Sequence, residues 1–301
     1  MPSTITLAQS ERYVRRFVHR APQTFAGDPD PLFSNADWVR QFLLSPPFRW
    51  RWNRSETAFF LTSGVQDYTL TNWAANKQVS KGWIYIDPSG SQQQVTTAGT
   101  TGANPPAWGT GQTTDNTVVW TNMGNVGVTT PLANFGWLEK ATVSSNDASG
   151  TANGVTELTI QLNLSRDSNI DKPAMIAPQF DDGDGNITFR FQPVPDQDYT
   201  AVLEFQFAAP TFTDLNGFWN PIPDYCSYLF KQGLLAKTYE ASDDPRYLPA
   251  MQLFVKQSIG AAGGLEGSQK NIFLSLFLDA QRTMQGGVAE DQADRQGRNL
   301  S

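Results

Sequence analysis

The chain has 301 residues, of which 39% are hydrophobic and 12% aromatic, so it can bury a core and is not a fully disordered chain. Charged residues make up only 17%, and 22 basic against 29 acidic residues leave a net charge of −7; this balance argues against a strongly basic nucleic-acid binder. The single cysteine, Cys226, excludes an internal disulfide and a zinc site built from several thiolates.

Neither a targeting segment nor a membrane span is predicted. The N-terminal sequence has no basic segment followed by an apolar run, and no apolar stretch approaches the roughly 20 residues that a membrane span needs. We therefore expect a soluble protein that folds in a reducing cytoplasm.

Positive charge is concentrated in residues 1–54, which contain eight arginines, no lysine and four acidic residues, for a net charge of +4. The other 247 residues therefore carry −11. Two interpretations are open: a solvated helix face, or a basic docking surface for an acidic partner. The arginines are Arg12, Arg15, Arg16, Arg20, Arg40, Arg49, Arg51 and Arg54.

The N-terminal part is predicted to be helical. Thr6 and Gln9 fit a capping box, and apolar residues then recur at helical spacing. Ser34 and Asp37 predict a second cap, and the helix that follows should end before Ser-Pro-Pro at 45–47, because proline disfavours the α conformation in the residue before it. The apolar face of the first helix would consist of Tyr13, Val14, Phe17, Val18 and Ala21.

Residues 48–54, FRWRWNR, alternate aromatic and polar side chains. Such a run could stack on bases and contact phosphates, but its period of two favours a strand with one buried side. The strand would place Phe48, Trp50 and Trp52 in the core and Arg49, Arg51 and Asn53 in water.

Residues 55–70 and 131–210 are predicted to form an antiparallel β domain, because apolar and polar residues alternate at 160–164, 187–191 and 203–207. The run DGDGN at 182–186 suits a hairpin turn and lacks the glycine and glutamate positions of a calcium-binding EF-hand loop.

Residues 71–130 contain only four charged side chains and short strands between Gly, Pro and Thr clusters. They are predicted to form a small β-sandwich-like module inserted into the β domain. Its tryptophans could offer a surface to a glycan or fill the module's core; the candidate glycan contacts are Trp83, Trp108 and Trp120.

Residues 211–284 return to helix, with one start at the PIPD run of 221–224, a cap at Asp243 and Asp244, and a last helix that carries Phe273 and Phe277. Residues 285–301 form a polar tail. The predicted fold class is therefore α+β: a helical bundle built from residues 1–54 and 211–284, plus an antiparallel β domain with the inserted module.

No catalytic constellation stands out. His19 is the only histidine, so any Ser-His-Asp or Cys-His pair would need it, and nucleotide-binding and nucleophile-elbow motifs are not found. Cys226, on the apolar side of a predicted helix, is expected to be a small buried hydrophobe. We expect no enzyme activity, no metal and no cofactor.

Two stretches, GTTGANPPAW at 99–108 and GQTTDNTVVW at 111–120, resemble a β-sandwich-like module that is common in virion proteins of tailed bacteriophages. The runs PIPDY at 221–225, GLLAK at 233–237 and DPR at 244–246, followed by Phe254, resemble the closing helices of phage neck and connector proteins. The runs FRWRW at 48–52, FGWLEK at 135–140 and QPVP at 192–195 fit the same kind of protein.

The order of helices, β domain and helices is similar to the head-to-tail adaptor of short-tailed phages. That resemblance implies a self-assembled dodecameric ring between the portal protein and the tail nozzle or tube, with tail fibres as a further partner. The ring would surround the channel for double-stranded DNA, in a virion assembled in the host cytoplasm and without a membrane. The candidate docking residues are Arg12, Arg15, Arg16, Arg20, Arg49, Arg51, Phe273 and Phe277.

Other functions stay open from the sequence. The chain could be another neck or tail component, such as a tail terminator, a tail-tube protein or a fibre-attachment protein. It could also be a virion module that binds a host glycan through its tryptophans, or a glycosidase whose paired carboxylates are not recognisable.

Overall fold

The computed structural model describes residues 6–18, 31–125, 132, 135–146, 152–181, 186–210 and 221–262. Of these, 40% lie in strands and 25% in helices. The chain divides into two compact units, which we call the helical unit (Met1–Asn53 with Ala209–Ser301) and the β unit (Arg54–Ala208).

The helical unit contains four described α-helices, α1 (Leu7–Arg15), α2 (Pro31–Leu44), α3 (Ser227–Ala241) and α4 (Tyr247–Ala261), and a short 3₁₀ helix at Asp224–Cys226. Helix α3 packs against the other three α-helices. Its buried residues lie on all sides of it, which suits a central helix. At Gly233 an added Cβ would lie 2.8 Å from both Phe254 Cε2 and Val39 Cγ1, so α2 and α4 approach the α3 backbone closely.

The local helix signals have mixed outcomes. The capping box at Thr6 and Gln9 is confirmed, and α2 ends at Leu44, before the two prolines. Ser34 and Asp37 lie inside α2 and do not cap it; Asp37 instead accepts hydrogen bonds from side chains one turn later. The last predicted helix and the polar tail lie outside the described residues.

The predicted cap of α4 is wrong. Asp243 has a positive φ of 51°, and Asp244 accepts hydrogen bonds from the backbone N–H and the guanidinium of Arg246. The helix begins at Tyr247, and its N-cap, Arg246, makes no side-chain capping bond. The two aspartates therefore shape the turn between α3 and α4.

The β unit has sixteen described strands in several sheets. One sheet has four strands in the order β1-β16-β9-β10, and a second has eight in the order β11-β13-β14-β2-β4-β5-β8-β7. Two short pairs, β12-β15 and β3-β6, complete the unit. The strands are β1 Arg54–Leu61, β2 Asp67–Leu70, β3 Gln78–Val79, β4 Trp83–Ile86, β5 Ser91–Thr97, β6 Gly99–Thr100, β7 Gln112–Asp115, β8 Val118–Asn125, β9 Phe135–Asn146, β10 Ala152–Glu157, β11 Thr159–Ile160, β12 Ile170–Asp171, β13 Met175–Asp181, β14 Ile187–Gln192, β15 Val194–Pro195 and β16 Tyr199–Phe207.

The two large sheets share one hydrophobic core, to which Phe59 of β1, Phe189 of β14 and Phe205 of β16 contribute fully buried rings. The chain crosses between the sheets at Leu158, which separates β10 in one sheet from β11 in the other. At the other edge of the four-stranded sheet lies β1. There the side-chain amide of Gln92 in β5 accepts a hydrogen bond from Phe60 N (2.6 Å) and donates one to Phe60 O (3.1 Å). This amide joins the sheets as a strand backbone would.

The predicted fold class is wrong: the protein is mostly β, with large multi-stranded sheets, and is not a helical bundle that carries an inserted β module. Residues 71–125, the described part of the predicted module, do not stand apart, because β4 pairs in parallel with β2 (Thr69 with Trp83, Leu70 with Ile84) and thereby continues the eight-stranded sheet. Parallel pairs also occur at β11-β13 and β12-β15. Alternation predicts strands, but it does not specify which strands become neighbours.

Candidate functional site

Helix α1 separates an apolar side from a charged side. Val14, and Val18 just beyond the helix, are buried in the core of the helical unit. Arg12, Arg15 and Arg16 are exposed. The capping box fixes where the helix starts, and the helical period then places the arginines away from the core.

One arginine of α1 is paired with a carboxylate, and a lysine of α3 adds positive charge beside the helix. Arg15 forms an exposed ion pair with Glu11 at 2.5 Å. Lys231 of α3 adds a charge next to α1, because its Nζ lies 5.9 Å from the centre of the Tyr13 ring. Arg246 of the turn before α4 donates to the carbonyl oxygen of Phe17. We call Arg12, Arg16 and Lys231 the basic face; Phe17, with 39% of its surface exposed, lies beside it.

The aromatic run after α2 belongs to the core. Phe48 and Trp50 are buried, and the ring centres of Trp50 and Trp52 are 5.4 Å apart in a stacked arrangement. The Trp50 indole N–H donates to the carbonyl oxygen of Leu43. The buried rings of Phe48 and Trp50 are not available to stack on bases, and Trp52 is half-buried against the same core.

The predicted strand at 48–54 is wrong, since residues 51–53 form a turn. Arg49 and Arg51 are nevertheless exposed, as predicted. Asn53 is buried, against the prediction. Period-two alternation therefore predicted the exposure of Arg49 and Arg51 correctly, but it predicted neither the burial of Asn53 nor the backbone conformation.

Two of the eight N-terminal arginines have structural roles. Arg40 is buried, donates to the carbonyl oxygen of Pro210 at 2.8 Å, and has its pKa lowered by burial. Arg54 of β1 pairs with Glu139 of β9 and lies 3.6 Å from Glu204 of β16. The positive charge available for docking is therefore smaller than the sequence count indicates.

The β unit has a second core, which contains five aromatic residues together with Asp115. It lies at the end of the eight-stranded sheet formed by β4, β5, β8 and β7. Asp115 Oδ2 accepts from the indole N–H of Trp73 (2.9 Å) and of Trp120 (3.4 Å), and Oδ1 accepts from Gly102 N (2.7 Å). One buried carboxylate thus holds two tryptophans and a loop backbone. The aromatic cluster consists of Trp73, Trp83, Tyr85, Trp108 and Trp120.

The three predicted glycan contacts differ in exposure. Trp120 is only 1% exposed and presents no surface to a sugar. Trp83 is half-buried, with Lys77 Nζ 5.3 Å from its ring centre. Trp108 is half-buried between Tyr85, at 5.2 Å, and the edge-on ring of Trp120, at 5.6 Å. Of the three, Trp83 and Trp108 are partly exposed.

A group of aspartates in the β unit was not predicted as a site. Asp171 lies opposite Pro195 in the β12-β15 pair, next to Asp196. Asp196 accepts from the Tyr199 hydroxyl at 2.6 Å, and Asp198 accepts from Ser63 N at 3.0 Å. The repeated Asp at 196 and 198 is visible in the sequence, but its proximity to Asp171 depends on the pairing of β12 with β15.

We call Asp171, Asp196 and Asp198 the acidic corner; all three are exposed. Burial of Tyr199, followed in importance by its hydrogen bond to Asp196, raises the pKa of Tyr199 to about 12. Two large apolar side chains of the same stretch of chain are also exposed, Leu162 at 97% and Ile170 at 61%.

Arg20, Phe273 and Phe277, three of the predicted docking residues, and His19 lie outside the described residues. Cys226 is buried, as predicted, and burial raises the pKa of its thiol. Within the described residues, no group of three or more His, Cys, Asp or Glu side chains could hold a metal ion. No helix in the described part of the chain is long and apolar enough to cross a membrane.

Comparison with known proteins adds no family. No protein-family model matches the chain. A search of curated proteins finds no match either.

Proposed function

We propose that this protein is a structural component of a tailed-phage virion, the head-to-tail adaptor that forms a ring between portal and tail. In this proposal the helical unit contacts the portal protein and the β unit contacts the tail nozzle or tube. The ring surrounds the channel through which double-stranded DNA passes. The protein acts by assembly, without catalysis and without a cofactor.

The observation that carries the proposal is the division of the chain. Segments from both ends form one helical unit, and Arg54–Ala208 form one β unit, so the chain offers two surfaces of different construction to two different partners. The net charge of −7 also suits a DNA channel, because a net negative wall repels phosphates, whereas a basic wall would retain them through counterion release.

The test is the mass and shape of the purified protein, alone and mixed with the portal protein of the same phage. Native mass spectrometry and negative-stain imaging should show a ring with a central pore, formed by the protein itself or only on the portal. A stable monomer that does not bind the portal would contradict the adaptor function. A ring that binds the tail but not the portal would favour a tail terminator instead.

Glycan binding is a second candidate, favoured by the partial exposure of Trp83 and Trp108. Deletion of residues 71–130 cannot test it cleanly, because β4, β5, β7 and β8 belong to the main sheet. The substitutions Trp83→Ala and Trp108→Ala should instead reduce adsorption of assembled particles to host cells. Adsorption at the wild-type rate, with thermal melting unchanged, would remove this candidate.

A further inference from the structure

The two units carry very different net charges. The β unit has 7 basic and 15 acidic residues, a net charge of −8, whereas the helical unit has 15 basic and 14 acidic residues, a net charge of +1. The two units contain similar numbers of acidic residues, but the net negative charge of the protein belongs to the β unit. Surfaces of opposite charge on different units favour contacts between unlike parts of neighbouring molecules.

On the helical unit, the positive surface is local and comes with an apolar side chain. Arg12 and Arg16 are exposed, and among the described residues no carboxylate forms an ion pair with either. Lys231 extends this surface onto α3 by its contact with Tyr13. Phe17 is exposed next to Arg16, so the basic face can make an apolar contact as well as charged ones.

On the β unit, the acidic corner has the complementary composition. Asp171, Asp196 and Asp198 supply three exposed carboxylates, and Ile170 supplies an exposed apolar side chain directly before Asp171. The basic neighbours are Lys172, whose Nζ donates to the carbonyl oxygen of Gly154, and Arg166, which lies 3.8 Å from Asp67.

We propose that the basic face of one copy binds the acidic corner of the next copy, and that this contact closes the ring; the proposal rests on the adaptor function above. Such a contact joins two different surfaces, so it is heterologous and repeats head to tail until the ring closes. Phe17 packs against Ile170, which supplies the apolar burial. Arg12, Arg16 and Lys231 face the aspartates and set the register and the association rate.

The test uses two charge-reversed variants of the full chain. The first, Arg12→Glu with Arg16→Glu, makes the basic face acidic. The second, Asp171→Lys with Asp198→Lys, makes the acidic corner basic. A control, Lys81→Glu with Lys256→Glu, changes two other exposed residues and alters the net charge by the same amount as the first variant.

We expect each charge-reversed variant alone to require at least tenfold more protein for assembly, as measured by mass photometry, while the control assembles like the wild type. An equal mixture of the two variants should assemble again, because each interface in an alternating ring then joins opposite charges. Native mass spectrometry of the mixture should show equal numbers of the two chains. Thermal melting of each variant establishes that it is folded.

Three results would overturn the interface. Both variants could assemble like the wild type, the control could fail as they do, or the mixture could stay unassembled although each variant is folded. In each of these cases, if the wild-type protein still forms a ring, only the interface is contradicted and the adaptor function is not. A wild type that remains monomeric both alone and with the portal would instead contradict the adaptor function itself.

Discussion

Gly233 occupies the point at which α2 and α4 both touch the backbone of α3. A Cβ here would lie 2.8 Å from Phe254 Cε2 and from Val39 Cγ1. Neither the phenylalanine ring nor the valine side chain can move away inside a packed core. We expect Gly233→Ala to lower the free energy of unfolding by about 1–3 kcal/mol, measured by urea denaturation.

Gly260 is the matched control, because it is also helical and an added Cβ would meet no atom within 4 Å. There alanine reduces the entropy lost on folding, so Gly260→Ala should raise stability by up to about 1 kcal/mol. Equal effects at the two positions would show that helix propensity, and not the close approach, decides the result.

The raised pKa of Tyr199 predicts that the stability of the protein depends on pH in the alkaline range. Its pKa in the folded protein is about 12, whereas a tyrosine in the unfolded chain titrates near 10. Between these values the unfolded chain releases the proton and the folded protein keeps it, so the free energy of unfolding falls as pH rises from about 10 to 12.

The variant Tyr199→Phe should lose that contribution, and its stability should fall less steeply than that of the wild type above pH 10. Urea denaturation at pH 9, 10 and 11 gives the two slopes. Tyr68, whose pKa is also raised by burial, is present in both proteins and does not affect the comparison. Parallel slopes would contradict the assignment to Tyr199.

At the scale of elements, Asp115 links β7 to the aromatic cluster. Replacement by leucine removes the acceptor of the indole N–H groups of Trp73 and Trp120 and of Gly102 N. An unsatisfied buried donor costs about 1–3 kcal/mol, so Asp115→Leu should destabilise the protein by several kcal/mol and shift its tryptophan fluorescence. Asp115→Asn keeps an acceptor oxygen and should cost less; similar losses in both would argue against this role.

Gln92 tests the junction between the two sheets. In Gln92→Leu, the backbone N–H and C=O of Phe60 lose their partner amide, and the free energy of unfolding should fall by at least about 2 kcal/mol. Gln112→Leu changes the same residue type on the exposed side of β7 and should stay within about 0.5 kcal/mol of the wild type. A loss at Gln112 as large as at Gln92 would contradict the bridging role.

At the scale of the whole molecule, the proposed interface between copies predicts that assembly is sensitive to salt. The distance over which exposed charges interact before salt screens them is about 10 Å at 0.1 M ionic strength and about 3 Å at 1 M. If the basic face and the acidic corner hold neighbouring copies, the protein concentration needed for assembly should rise with NaCl between 0.05 and 0.5 M, as followed by mass photometry. Assembly that is unchanged or strengthened by salt would point to an apolar interface.

The sequence by itself determined the local features whose cause is local. The capping box at Thr6, the end of α2 before two prolines, the burial of Cys226 and the hairpin between β13 and β14 all follow from residues within a few positions of one another. Burial of Phe48 and Trp50 followed from alternation, although the strand itself did not form. Hydrophobic period and turn chemistry suffice for such features.

Only the tertiary structure decided how the strands combine. The parallel pairing of β2 with β4 makes β4, β5, β8 and β7 part of the main sheet, and the pairing of β12 with β15 brings Asp171 beside Asp196. Strand partners are chosen by packing between residues far apart in the chain, and the alternation within each strand is the same whichever partner it finds.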